Sequence, residues 1–308
     1  MPSLKHRDGR VIDMPGGQDK LLATLYTSAW GRALLRPLVS PVVSKAAGWF
    51  LSTRLSKCLI APFIRANNID MSQFPEEDYP SYNAFFSRKI KPELRPIVTD
   101  PDVLIAPCDS KLTVLPVTRE GIFTLKNTQY TVKTLLQNEE LARKYEGGLA
   151  LIFRLTVDDY HRYCYIADGE KTANTHIPGV LHTVNPIAND VYPIYVQNSR
   201  EYSLLHTDTF GDVLMMEVGA LLVGKIVNHH GEAQVQRGQE KGYFQFGGST
   251  VVLLLEKDRV QLDADIIANS RENSETIVKM GEKIGCRAKK STQAVSLHRN
   301  AGIHISET

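Results

Sequence analysis

Phe246-Gly247-Gly248-Ser249-Thr250-Val251-Val252-Leu253-Leu254-Leu255 decides how this 308-residue chain is read. Two glycines run into a serine, and the serine opens an unbroken β-branched and aliphatic run of the length of a buried strand. Glycine carries no side chain to shield its carbonyl, and it tolerates strained backbone. Taken alone, the stretch is a glycine hinge entering a core strand. The alternative is a serine whose hydroxyl attacks the carbonyl just before it. The remaining residues decide between the two.

Composition sets wide bounds. Apolar residues make up 43% and charged residues 23%, ordinary globular values, and the length suffices for one large domain or two smaller ones. A net charge of +2 creates no field that favours nucleic acid as a partner. Cys58, Cys108, Cys164 and Cys286 are scattered, with no CxxC pair, which points to a reducing compartment and away from disulfides or zinc. Met1 to Asp8 lacks the apolar core of a signal peptide. No run of about 18 apolar residues occurs. A soluble or peripheral intracellular protein is expected.

Outward from the opening stretch, residues 19–66 are rich in Leu, Ala, Val, Trp and Phe, dotted with single basic residues. Leu21, Leu22, Leu25, Trp30, Leu34 and Leu35 fall near helical spacing. Pro37 and Pro41 interrupt it, and a second helix is read from about Val42 to Cys58, with Trp49, Phe50 and Leu51 near Lys45, Arg54 and Lys57. Such helices can lie in a membrane interface or pack on the rest of the protein. Residues 67–98, with Pro75, Pro80, Pro92 and Pro96, read as a connection with little regular structure. From about 103 short apolar runs separated by Gly, Pro, Asn and Asp predict a β-rich domain, interrupted by one helix from Val132 to Tyr145 that Gly147-Gly148 ends. Thr250–Glu256 is the last clear strand. A short alternating piece spans 274–280, and the tail from Arg287 is expected to be loosely ordered.

Titratable groups concentrate in Thr156-Val157-Asp158-Asp159-Tyr160-His161-Arg162-Tyr163-Cys164, directly after the apolar run Leu149–Leu155. His161 is the natural proton-transfer group there, because imidazole titrates near neutrality; a structural histidine at a strand end is the rival. Cys164 read alone is a small core hydrophobe, and Asp109 a turn residue. His229 and His230 are adjacent and would face opposite sides of a strand, so no metal site is expected. No Gly-rich phosphate loop is present. Val251 spoils a G-x-S-x-G elbow around Ser249.

Taken together these segments resemble the phosphatidylserine decarboxylase family. The resemblance rests on Phe85-Phe86-Ser87-Arg88-Lys89-Ile90-Lys91-Pro92 with Arg95-Pro96, Ala106-Pro107-Cys108-Asp109-Ser110, Asp159-Tyr160-His161-Arg162, Ile177-Pro178-Gly179 through Asn185-Pro186, and Phe246-Gly247-Gly248-Ser249-Thr250. Asn198 to Glu201 and Val218 to Gly224 add to it. The joint order of the segments is what makes the match specific.

The resemblance implies a zymogen that cleaves itself at Gly248-Ser249. The products would be a β chain ending at Gly248 and an α chain whose first residue, former Ser249, becomes a covalent pyruvoyl group. Its ketone would take the substrate amine and draw electrons as carbon dioxide leaves. Asp109 matches the aspartate that orients the processing base, and His161 the histidine linked to decarboxylation. Cys164 stands where the family places its processing histidine. That leaves His161 serving both steps, Cys164 acting as base, or His182 or His206 substituting; His161 in both roles is the favoured reading.

The implied architecture is α+β: amphipathic membrane-associating helices in 1–66 and a β-rich antiparallel catalytic core in 67–308. The implied partners are phosphatidylserine and an anionic membrane at the cytoplasmic face, and a homo-oligomer is expected. Two alternatives stand beside this. One is a pyruvoyl decarboxylase of a free amino acid; the other is an uncleaved, non-catalytic lipid-binding homologue.

Overall fold

Ser249–Leu255 is buried along its whole length, because it runs through the interior of a large sheet in the computed structural model. The structure describes residues 3–12, 24–26, 28–125, 127–189, 191–220, 225–245 and 249–289. The strands used below are β1 (Leu4–Lys5), β2 (Ser110–Pro116), β3 (Leu149–Leu155), β4 (Arg162–Cys164), β5 (Arg200–Thr207), β6 (Gly211–Val218), β7 (Glu240–Phe244), β8 (Ser249–Leu255) and β9 (Glu275–Val278). Across the main sheet the order is Ala233–Val235, Gly169–Lys171, β5, β6, β8, β3, β2, β9, β1 and Val11–Ile12. Neighbours are antiparallel except β1 and β9, which run parallel. This is the α+β class with a β-rich antiparallel core.

Side chains alternate across the sheet with a period of two. Val251, Leu253 and Leu255 join Leu151, Phe153, Val213 and Met215 on one face. Val252 and Leu254 join Ile152, Leu214 and Met216 on the other. A second sheet, Ile226–Asn228, β7 and β4, covers the first face through Tyr163, Cys164 and Phe244. Leu35, Leu135, Leu136 and Tyr195 cover the second. The five aliphatic residues of β8 together contribute roughly 10 kcal/mol of apolar burial. Both faces are apolar, so register rests on the close fit of these side chains with Phe153, Met215, Ile152 and Met216 and on the paired backbone of the neighbouring strands.

Helices precede this core: α1 (Ala29–Leu38), α2 (Pro41–Leu51), α3 (Ile60–Ala66) and α4 (Tyr82–Phe86). The helix read from Val42 to Cys58 stops at Leu51. There the Ser52 and Thr53 hydroxyls donate back to the Gly48 and Phe50 carbonyls, competing with continued helix, and a 3-10 turn, Arg54–Leu59, follows. Segment 67–98 holds more structure than its prolines suggest, since Ser81 caps α4 through the Ala84 N–H. The single helix expected over 132–145 is two, Val132–Leu136 and Glu139–Arg143. Gln137 takes a left-handed φ of 52° and Asn138 caps the second. Residues 4–5, counted with the helical region on sequence, pair with β9 in the core. β8 is not the last strand of the core either, for Lys283–Arg287 lies between Val103–Ile105 and Val260–Leu262. The expected loose tail lies outside the described residues beyond Lys289.

Candidate active site

Strand register brings the predicted residues to one end of the main sheet. Ser249 pairs with Leu155, and the Lys111–Arg154 pair in β2 and β3 puts Ser110 level with Leu155. With strands about 4.8 Å apart, the Ser249 and Ser110 backbones lie about 10 Å from each other. Asp109 precedes Ser110, and the chain leaving Leu155 reaches His161 through the turn 156–160. Gly248 lies outside the described residues, as do Phe246 and Gly247.

Ser249 is fully buried, and its Oγ has no hydrogen-bond partner among the described residues. A sealed hydroxyl without a partner is unfavourable by roughly 1–3 kcal/mol, and this one sits at the first position of the strand. His161 is 1% exposed. Its Nδ1–H donates to the main-chain carbonyl of Asp159 at 2.9 Å. Because a carbonyl only accepts, this bond fixes the tautomer and leaves Nε2 as the basic nitrogen of the neutral ring. Phe86 lies against the ring, 4.3 Å between centroids, and the His161 carbonyl accepts from Phe244 N–H in β7.

Supporting residues went unnoticed in the sequence. Lys111 Nζ donates to Asp159 Oδ2 and to Thr156 Oγ1, both at 2.5 Å. The same carboxylate accepts the Thr156 N–H at 2.7 Å. Asp159 therefore closes the turn with its side chain and holds His161 with its backbone. Arg162 donates twice to the Ser87 carbonyl and once to Glu240, clamping the end of α4 beside β4. Lys111 alternates correctly for a strand residue, which hides its buried role; Asp159 and Arg162 flank His161 in sequence, but the partners that define their roles, Lys111, Ser87 and Glu240, are distant in the chain.

Asp109 is 1% exposed. Its carboxylate accepts a forked pair from Arg95, an N–H from Met280 at 2.9 Å and Lys279 Nζ at 3.3 Å. Burial alone would raise its pKa, but the Arg95 bonds, the Lys279 charge and the Met280 N–H more than offset this and hold it below the ordinary value. The acceptor at His161 Nδ1 is thus the Asp159 carbonyl, while Asp109 ties together residues 95, 109 and 279–280.

Cys164 fits the role of base poorly. It is 1% exposed within the core, and burial pushes its thiol up to about 12, so it stays protonated at neutral pH. His182 stacks on Tyr192 at 4.6 Å and approaches Tyr26, and those tyrosines pack on the face opposite Ser249. His206 Nδ1–H donates to the Asp212 carboxylate at 2.6 Å. Asp212 is level with Glu256, seven residues along β8 from Ser249, about 23 Å away.

The fold and site define a class: an α+β protein that seals a serine hydroxyl without a partner inside its main sheet, at the end where His161 and Asp109 also lie. The profile of the family described as phosphatidylserine decarboxylase matches residues 82–286. Phosphatidylserine decarboxylase proenzyme 2 of Clostridium acetobutylicum is 47% identical over 265 residues, covering 86% of this chain and 91% of its own. The phosphatidylserine decarboxylase proenzymes of Ruminiclostridium cellulolyticum and Desulfitobacterium hafniense are 40% and 39% identical, covering 89% and 88% of this chain and 93% of each relative. The chain belongs to the phosphatidylserine decarboxylase family.

Proposed function

We propose that this chain decarboxylates phosphatidylserine to phosphatidylethanolamine and carbon dioxide after cleaving itself at Gly248-Ser249. The observation that carries the reading is the buried Ser249 hydroxyl without a partner, at the sheet end where Asp159 fixes the tautomer of His161. The name proenzyme, borne by relatives over nine-tenths of their length, supports it.

His161 Nε2 takes the proton of Ser249 Oγ as the oxygen attacks the Gly248 carbonyl. The peptide C–N bond breaks, its nitrogen takes a proton, and an ester joins the two residues. Loss of the Ser249 Cα proton then expels the Gly248 carboxylate and leaves dehydroalanine. Tautomerisation and hydrolysis release ammonia, and residue 249 ends as a pyruvoyl group. That group supplies a ketone for the substrate amine and a neighbouring carbonyl to accept electrons as carbon dioxide departs. His161 returns a proton to the substrate carbon, and Asp109 keeps Arg95 and residues 279–280 in place around the turn.

No helix among the described residues is long and apolar enough to cross a membrane. Trp30, Leu34, Val42, Trp49 and Leu55 are each more than half exposed, with Lys45, Arg54 and Lys57 exposed among them. Exposed apolar side chains spread over these helices, with basic residues interspersed, fit the headgroup layer of an anionic membrane. Residues 1–66 thus contain the membrane-associating surface and 67–308 the catalytic domain, working peripherally at the cytoplasmic face. The same side chains favour a lipid substrate over a free amino acid.

The intact mass of the purified protein tests the reading: two chains meeting at 248/249, the smaller bearing a pyruvoyl end, are expected. His161→Ala should remain one full-length chain and Cys164→Ala should split normally. Splitting that survives the first change and fails with the second would reverse the assignment. Carbon dioxide released from free serine but not from phosphatidylserine vesicles would replace the substrate.

A further inference from the structure

Arg88 follows α4 and is 5% exposed. Its guanidinium lies between two aromatic rings, 4.1 Å from the centroid of Phe74 and 4.4 Å from that of Phe85. Nη1 donates to the Phe85 carbonyl at 3.2 Å, while Nε is sealed with no partner, as is the Tyr79 hydroxyl beside Phe85. The titratable groups facing Arg88 are Tyr79, Tyr82 and Tyr160, all neutral phenols at pH 7. No carboxylate pairs with it among the described residues.

The other buried arginines among the described residues are satisfied. Arg154 is paired with Glu275 and Arg200 donates to four main-chain carbonyls, while the nearly buried Arg95 is paired with Asp109. A buried cation between aromatic rings gains cation–π attraction, but a guanidinium has five donors, in a fork matched to phosphate. Arg88 keeps most of that fork unspent.

Its place in the fold says what would fill it. Two residues earlier, Phe86 lies on His161, and Tyr160, which faces Arg88, precedes His161. On its other side α4 docks on the helices that carry the exposed apolar side chains. Asn83 donates to the Gly48 carbonyl and the Ser52 hydroxyl, and Tyr82 N–H to Ser56. Arg88 stands between the membrane-facing helices and the histidine.

We propose that Arg88, with the Tyr79 hydroxyl, receives the phosphodiester of the lipid substrate once the Phe74 ring moves off the guanidinium. This site rests on the phosphatidylserine reading above. It anchors the lipid by the charge of its phosphodiester and holds the serine moiety at a fixed reach from residue 249.

The test compares mature wild type, Arg88→Met and Arg88→Lys, with cleavage confirmed by mass. Thermal midpoints are measured with glycerophosphoethanolamine, inorganic phosphate and ethanolamine as separate additions. Glycerophosphoethanolamine should raise the wild-type midpoint more than inorganic phosphate does, ethanolamine should not raise it, Arg88→Met should lose the shift, and Arg88→Lys should keep part of it. Without ligand, Arg88→Met should melt no lower than wild type, because it removes a buried cation that lacks a counter-charge. With short-chain phosphatidylserine in detergent, its KM should rise about tenfold or more, beyond any change in kcat. A shift retained in Arg88→Met, or absent from wild type, overturns the proposal, and an equal shift with inorganic phosphate overturns the lipid assignment. A lower ligand-free midpoint with unchanged KM marks Arg88 as structural only. Should wild type release no carbon dioxide from phosphatidylserine, the decarboxylase reading fails while the melting arm still decides the anion site.

Discussion

At the scale of residues, Asp109 shows how a site side chain can be bound to the frame. Arg95 is 10% exposed, so Asp109→Asn leaves a nearly buried cation without its counter-charge, and breaking such a pair is unfavourable by about 3–5 kcal/mol. Any processing defect in that variant must be read against its melting point. The carboxylate is held below its ordinary pKa, so its stabilisation is complete above the unfolded value near 4 and fades as pH falls through the folded one. Melting curves between about pH 2 and pH 7 should show wild type losing stability at the acid end more steeply than Asp109→Asn. A parallel pair of profiles would contradict this. Ser249, His161 and Asp109 stand out as candidates in the sequence because each sits in a short local motif. The Lys279 and Met280 contacts to Asp109 were not, because they join residues 170 and 171 positions apart.

Among elements, the β4–β7 pair matters because β4 begins at the residue after His161 and Phe244 N–H of β7 donates to the His161 carbonyl. Gly242 in β7 has no room for a side chain: a Cβ there would lie 2.1 Å from the Val227 carbonyl oxygen and 2.8 Å from the Tyr163 hydroxyl. Gly242→Ala should therefore separate Ile226–Asn228 from β7, lower stability by about 1–3 kcal/mol, and slow chain splitting. Gly231→Ala, which meets nothing within 4 Å, is the control. Equal melting points and splitting rates in the two variants would refute the account. Strand β8 could be read from its unbroken apolar run. The break at Gln137 could not, since glutamine is a fair helix former and only tertiary context selects its left-handed φ. β1 escaped notice because two residues hold no period.

For the whole molecule, the exposed apolar side chains predict where the protein sits. Burying a large apolar side chain in the interface contributes roughly 1.5–3 kcal/mol. Trp49→Glu with Leu55→Glu should thus weaken binding to anionic vesicles by about a hundredfold or more while leaving the melting point close to wild type. Vesicle flotation as strong as wild type's would remove these helices from the membrane.

Strand order has one more consequence. Cutting before Ser249 leaves a small chain whose strands are interleaved with those of the large one: β8 lies between β6 and β3, β9 between β1 and β2, and Lys283–Arg287 beside Val103–Ile105. Folding of the uncut chain is unimolecular, but reassembly of the cut one is a second-order encounter between two fragments, each lacking strand partners that the other holds. The proposed cleavage would therefore act as a ratchet: the fold forms as one chain and is then severed. Mature protein should regain its structure after denaturation poorly and only at high concentration, whereas uncut Ser249→Ala should refold at any dilution.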